Sequence, residues 1–186
     1  MSIARHIFSF LLDIIETVVV AASMFVIVYL FLIQPHQVFG NSMLPNFHDQ
    51  EYILTDKISY RFQAPQRGEI VVFRSPEDKE KDYIKRIIGL PGERVAVVGG
   101  KVYIDGQVLP ENYLDPDLQT PHGRFLGDDQ PFLVPPDMYI VFGDNRLNSS
   151  DSRAFGPIPK TDIVGKALVV YWPPNRFHLI SEVSNR

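Results

Sequence analysis

Hydrophobic positions fall into two regimes along this chain: one long apolar run near the N-terminus, then short apolar runs broken by glycine, proline and charge. Thr17 to Gln34 contains no charged residue. Its 18 residues, at about 1.5 Å each in a helix, cover about 27 Å, close to a hydrocarbon core of about 30 Å. Ile14 and Ile15 extend the run, so 14–34 reads as a transmembrane anchor behind a short tail, 1–13. A cleavable secretory signal carries an apolar region of about 7–15 residues, which favours an anchor that stays attached. Arg5 and the amino terminus precede the run, and no Lys or Arg follows it until Lys57. Counting positive charge near the span predicts a single-pass cell-membrane protein with a cytoplasmic N-terminus and an extracytoplasmic domain over 35–186.

Beyond the anchor the pattern predicts strands: Tyr52 to Leu54, Glu69 to Phe73, Tyr83 to Ile88, Arg94 to Val98, Lys101 to Ile104, Met138 to Phe142 and Ile163 to Tyr171. Gly99-Gly100 and Asp105-Gly106 can take the positive φ of two-residue hairpin turns, so Val95 to Leu109 reads as a three-strand meander. With 15 prolines, the fold class is mostly antiparallel β behind one N-terminal helix, with an excursion over about 94–136 whose Pro110 to Pro136 part is irregular. The body, roughly 150 residues, suits one domain.

Composition removes several classes of function. A net charge of −4 and a pI near 5.7 give no basic field for nucleic acid. The absence of cysteine excludes disulfides, thiolate metal sites and cysteine nucleophiles. No His-Glu-x-x-His spacing occurs, and no metal or cofactor is expected.

Ser42, in Gly-Asn-Ser-Met-Leu-Pro (40–45), lies just past the anchor, where loops carry function, between a glycine that permits close backbone approach and a proline that keeps the chain out of a regular ladder. It belongs to neither a Gly-x-Ser-x-Gly elbow nor a Ser-x-x-Lys pair. In a strand, Lys85 shares a face with Tyr83 and Ile87, and Arg86 shares the other with Ile84 and Ile88. Periodicity does not choose between the two cations. Chemistry does: arginine stays protonated, whereas a desolvated lysine loses its proton near neutral pH. Two cations snorkelling from a strand edge is the competing reading. The five histidines (His6, His36, His48, His122 and His178) offer an alternative base, but nothing resembling a Ser-His-Asp framework surrounds them. Gly143 to Arg153 is dense in polar side chains and fits either a surface turn or a buried polar network.

In order, the anchor, Ser42 to Pro45, Arg67 to Phe73, Lys85 to Glu93 and Gly143 to Arg153 resemble the type I signal peptidases. The resemblance implies an antiparallel β serine endopeptidase with a Ser/Lys dyad that cuts signal peptides from exported preproteins after small residues at −1 and −3. Its partners would be those signal peptides and the lipid bilayer. By this likeness Ser42 is the nucleophile, its backbone N–H an oxyanion donor, and Lys85 the general base. Ser149 orients the lysine amine, Asp151 pairs with Arg153, and Asp144 joins the supporting shell. The candidate substrate pocket comprises Val38, Met43, Tyr83 and Ile84.

The chain departs from the pattern at Asn46 and Leu147, where many members carry Thr and Asp, and at Gly40, where some carry an oxyanion-binding serine. Gly40→Ser is therefore expected to preserve or raise activity. Phe39, Phe47 and Trp172 are candidates for an apolar patch facing the bilayer. Two other readings stay open: an anchored β-domain that binds or scaffolds, and a self-cleaving Ser/Lys protease.

Overall fold

In the computed structural model, which describes residues 2–127 and 129–180, the apolar run forms one helix, α1 (Ser2–Phe31). Its Arg5–Tyr29 portion, 25 residues with none buried against the body, is long and apolar enough to cross a membrane. The helix ends short of the expected anchor boundary. Ile33 and Gln34 instead open strand β1 (Ile33–Gln37). Pro35 gives the reason: it lacks an N–H, and its ring drives the preceding residue out of the helical region. Proline is tolerated here because β1 lies at a sheet edge.

The strands that follow are β2 (Tyr52–Asp56), β3 (Ile70–Arg74), β4 (Asp82–Gly89), β5 (Arg94–Val98), β6 (Lys101–Ile104) and β7 (Gln107–Val108). They continue with β8 (Phe132–Leu133), β9 (Met138–Phe142), β10 (Ile158–Pro159), β11 (Ile163–Trp172) and β12 (His178–Leu179). An eight-stranded sheet runs in the order β1-β2-β11-β3-β4-β9-β10, with β12 added to β11. A four-stranded sheet follows the order β7-β6-β5-β8. Every pairing among the described residues is antiparallel.

The meander forms as the glycine pairs dictate: Gly99, Gly100, Asp105 and Gly106 all have positive φ. β8 adds a fourth strand on its β5 side.

Among the described residues, three apolar clusters make up the core, and β4 reaches all of them. Ile84 packs against the Val38, Met43, Phe47 and Ile53 group, Ile87 joins Val71, Phe73 and Val141, and Ile88 joins Val95, Val97 and Ile140. Lys85 and Arg86 are therefore carried into the interior by the apolar residues on either side of them.

Candidate active site

Ser42 sits in the loop between β1 and β2, and that loop is closed by its own hydrogen bonds. Val38 N–H donates to the Glu51 carbonyl (2.7 Å), Gln50 N–H to the Val38 carbonyl (2.9 Å) and Gly40 N–H to Asp49 Oδ1 (2.7 Å). Phe47 N–H reaches back to the Met43 carbonyl (2.9 Å), a tight turn that directs both side chains inward. Met43 is consequently buried in the core, not at the cleft surface where the sequence reading placed it. Phe47 is buried in the same cluster and is not part of an exposed patch. Phe39 and Trp172 are exposed, at 71% and 53%.

The 143–153 segment fixes the other side of Ser42. Asn145 N–H donates to the Ser42 carbonyl (3.0 Å), and Asn145 Nδ2 donates to the Asn41 carbonyl (2.9 Å). Gly143 packs so closely that a Cβ added there would overlap the Ser42 carbonyl oxygen and Ser149 Oγ.

Lys85 Nζ lies 2.8 Å from Ser42 Oγ and 2.9 Å from the Ile84 carbonyl oxygen, with the Tyr83 ring centroid 5.4 Å away. Only 4% of the residue is exposed. Burial lowers the pKa of its ammonium to about 8, with Asp151 and Asp144 opposing and Arg153 adding to the effect. An amine in that range holds a large neutral fraction just above neutral pH.

The supporting charges are buried and paired in two places. Asp151 accepts from Arg153 Nε (2.8 Å) and Nη2 (2.7 Å), and also from the Gly143 N–H (3.0 Å). Asp144 accepts from Arg86 Nε (2.8 Å) and Nη2 (2.7 Å). The sequence reading anticipated the first pair and assigned Arg86 no partner. It also gave no role to Asn46, whose Nδ2 donates to Asp144 Oδ2 (2.8 Å) and to the Tyr113 carbonyl (3.2 Å).

Arg146 was likewise unassigned. It is fully buried, forked onto Glu111, and donates to Thr120 Oγ1 (2.7 Å), tying the 110–120 excursion to the site loop. Its position inside Gly-Asp-Asn-Arg was the available signal. Ser149 is close to Ser42 but makes no hydrogen bond to Lys85; its hydroxyl is buried without a partner.

A cleft of about 750 Å³ opens beside Ser42 and Lys85. Val38, Tyr83 and Ile84 line it as expected, joined by His36, Ile53 and Val72. One wall is β1 and the other is the start of β4.

At Gly40 the backbone overturns the expected tolerance to serine. Its φ is +81°, a region L side chains rarely adopt, although a Cβ would meet no atom within 4 Å. Strain, not space, decides the outcome, at about 1–2 kcal/mol. Gly40→Ser and Gly40→Ala are expected to lose turnover to similar extents, measured side by side on one peptide. Survival of serine above alanine would restore the idea of a vacant oxyanion donor.

This antiparallel β body with an N-terminal apolar helix matches the family model described as signal peptidase, peptidase S26, over residues 11–172, and the chain belongs to that family. Signal peptidase I of Leptolyngbya laminosa is 42% identical over 153 residues, 78% of this chain and 72% of its own length. Probable signal peptidase I-2 of Synechocystis is 38% identical over 181 residues, 94% of this chain and 79% of its own. A solved signal peptidase I from Enterococcus faecalis V583 is 33% identical and aligns with 56% of this chain and 97% of its own, with a TM-score of 0.46.

Proposed function

We propose that the chain is a membrane-anchored serine endopeptidase that removes signal peptides from exported preproteins, with Ser42 as nucleophile and neutral Lys85 as general base. The observation that carries this reading is the 2.8 Å contact between Lys85 Nζ and Ser42 Oγ at the edge of an apolar cleft.

The Nζ lone pair takes the Ser42 hydroxyl proton as Oγ adds to the scissile carbonyl carbon. The Ser42 N–H donates to the oxygen that becomes negative. The resulting Lys85 ammonium returns its proton to the leaving amine, and water then hydrolyses the ester by the same route. The Ile84 carbonyl holds one amine hydrogen, and the buried Ser149 hydroxyl, which has no partner of its own, is assigned the role of orienting the second. Asp151 with Arg153 and Asp144 with Arg86 hold the surrounding loop and strand.

A preprotein segment lying extended along the cleft presents residues −1 and −3 to the same wall, because side chains alternate at period two. Val38 on one side and Tyr83 and Ile84 on the other narrow the cleft and favour small side chains there.

Activity is expected to rise with pH through about 8, the value to which burial brings Lys85, because the base works only when neutral. A kcat/KM profile checks this, and a maximum below about pH 6 would remove lysine as the base. A serine-acylating probe is expected to modify Ser42 and to leave Ser42→Ala untouched; labelling of both would place the reactive nucleophile elsewhere, and labelling of neither would return the reading to a binding or scaffolding domain.

In the same proposal α1 spans the membrane with its N-terminus in the cytoplasm and the β body outside. A chain starting at Leu32 keeps the whole of β1. It is expected to cut peptides and still to sediment with liposomes through exposed Phe39 and Trp172. Its staying in the supernatant would reject that surface.

A further inference from the structure

The peptide unit that carries the Ser42 N–H has a second polar end, the Asn41 carbonyl, and Asn145 holds it. The Asn41–Ser42 bond is trans, so the unit is planar, with the Asn41 oxygen and the Ser42 N–H pointing in opposite directions. Asn145 Nδ2 donates to the Asn41 oxygen at 2.9 Å, and the Asn145 N–H donates to the Ser42 oxygen at 3.0 Å. One residue thus grips the two carbonyls that flank the nucleophile's backbone. The Leu44 N–H also reaches the Asn41 oxygen, but at 3.3 Å, beyond the usual range for an N–H donor. Among the described residues the Ser42 N–H itself donates to no group. The loop around Asn145 delivers it to this place. Gly143 has no Cβ to keep the segment off the Ser42 carbonyl, and the Asn148 N–H donates back to the Asn145 carbonyl at 3.0 Å, closing a turn that seats the residue.

We propose that Asn145 is a positioning residue for oxyanion binding, its side-chain amide aiming and strengthening the Ser42 N–H through the Asn41–Ser42 peptide plane, an inference that rests on reading Ser42 as the nucleophile. A carbonyl that accepts a hydrogen bond polarises its own peptide unit, which leaves the N–H at the other end more positive. A plane fixed before reaction also has little reorganising to do as negative charge gathers on the scissile oxygen, and that is where a donor gains its effect. Gly40 has no side chain to share the task, so the demand falls on the Ser42 N–H.

Asn145→Leu isolates the side-chain amide. Leucine has nearly the same shape, carries no charge and keeps the backbone N–H that holds the Ser42 oxygen, so the Asn41 carbonyl is left with the long Leu44 bond alone. Asn145→Ala repeats each measurement should the leucine chain fold poorly.

The experiment uses the full chain in detergent micelles, one signal-peptide cleavage-site peptide, and a peptide aldehyde ending at its −1 residue. Ser42 Oγ adds to the aldehyde carbon, its proton passes to Lys85, and the carbonyl oxygen takes the negative charge, so the adduct needs the oxyanion donor and no leaving group. Asn145→Leu is expected to lower kcat about five- to thirtyfold, less than the roughly 10²- to 10³-fold lost when an oxyanion donor is removed outright. KM is expected to stay within about twofold, aldehyde affinity to fall by the same factor as kcat/KM, and the rising limb near pH 8 to stay in place, because the residue acts on the oxyanion and not on the Lys85 base. An unchanged kcat, a loss confined to KM, an aldehyde affinity equal to that of the wild-type chain, or a displaced limb overturns the inference and leaves Asn145 as a loop tie or a neighbour of the base. The wild-type chain separates the two levels of the reading. If it cuts the peptide while the Asn145 variants match it, only the positioning role is removed; if it neither cuts the peptide nor takes up the aldehyde, Ser42 is not the nucleophile and both are removed.

Discussion

Lys85→Arg is expected to abolish cleavage, with kcat falling by about 10²- to 10⁴-fold or more, the usual contribution of a general base. The guanidinium keeps the positive charge and reaches a similar distance but does not give up its proton near neutral pH. Arginine also brings planar bulk into a site already filled by Ser42, the Ile84 carbonyl and the Tyr83 ring. Lys85→Met supplies the control. It keeps the length of the side chain, removes the buried charge, and is expected to fold at least as well while remaining inactive. Ser42→Ala combined with Lys85→Met should be no worse than either single variant, because in the proposed mechanism nucleophile and base act as one unit. Retention by Lys85→Arg of more than about a tenth of the wild-type rate, roughly 1.4 kcal/mol of barrier, would mean that another group takes the proton.

Asp144→Ala is expected to cost stability before it costs chemistry. Asp144 is fully buried and Arg86 is 3% exposed at the side chain, so deleting the carboxylate strands a guanidinium inside the sheet. Breaking such a buried pair from one side costs about 3–5 kcal/mol. At about 2–4 °C per kcal/mol for a body of this size, the melting temperature should drop by roughly 6–20 °C. Asn46 loses its bond to Asp144 Oδ2 at the same time, which loosens the turn that carries Ser42. Replacing both partners, Arg86→Met with Asp144→Leu, should recover much of the loss, since no charge is then left unmatched. A loss below about 1 kcal/mol for Asp144→Ala would place the pair with surface ion pairs.

The long strands were readable because their apolar runs are long enough to carry a period. β5, β6 and β9 begin and end where the sequence reading put them. β8, β10 and β12 span two residues each, too few to show any period, and exist only because a neighbouring strand offers its edge. β1 was masked by the apolar run it continues, with Pro35 as the one local sign of the break.

At the site, Lys85 stood out because a lysine between apolar residues has a chemical use. Arg86 could not be matched to Asp144, or Arg146 to Glu111, because these pairs join positions far apart in the chain. Sequence alone names such charges without saying which partner the fold delivers. The inward turn of Met43 and Phe47 was hidden for the same reason: nothing in 43–47 says which way a tight loop turns its side chains until Ile53, Ile70 and Val72 are in place beneath it.

Incubating one purified preprotein with the full chain in detergent, and reading the products by mass spectrometry beside Ser42→Ala, decides whether Ser42 cuts signal peptides. A single cut after a small residue with another small residue at −3 is expected, present with the wild-type chain and absent with Ser42→Ala. An intact preprotein with the wild-type chain, or the same cut made by Ser42→Ala, would contradict it.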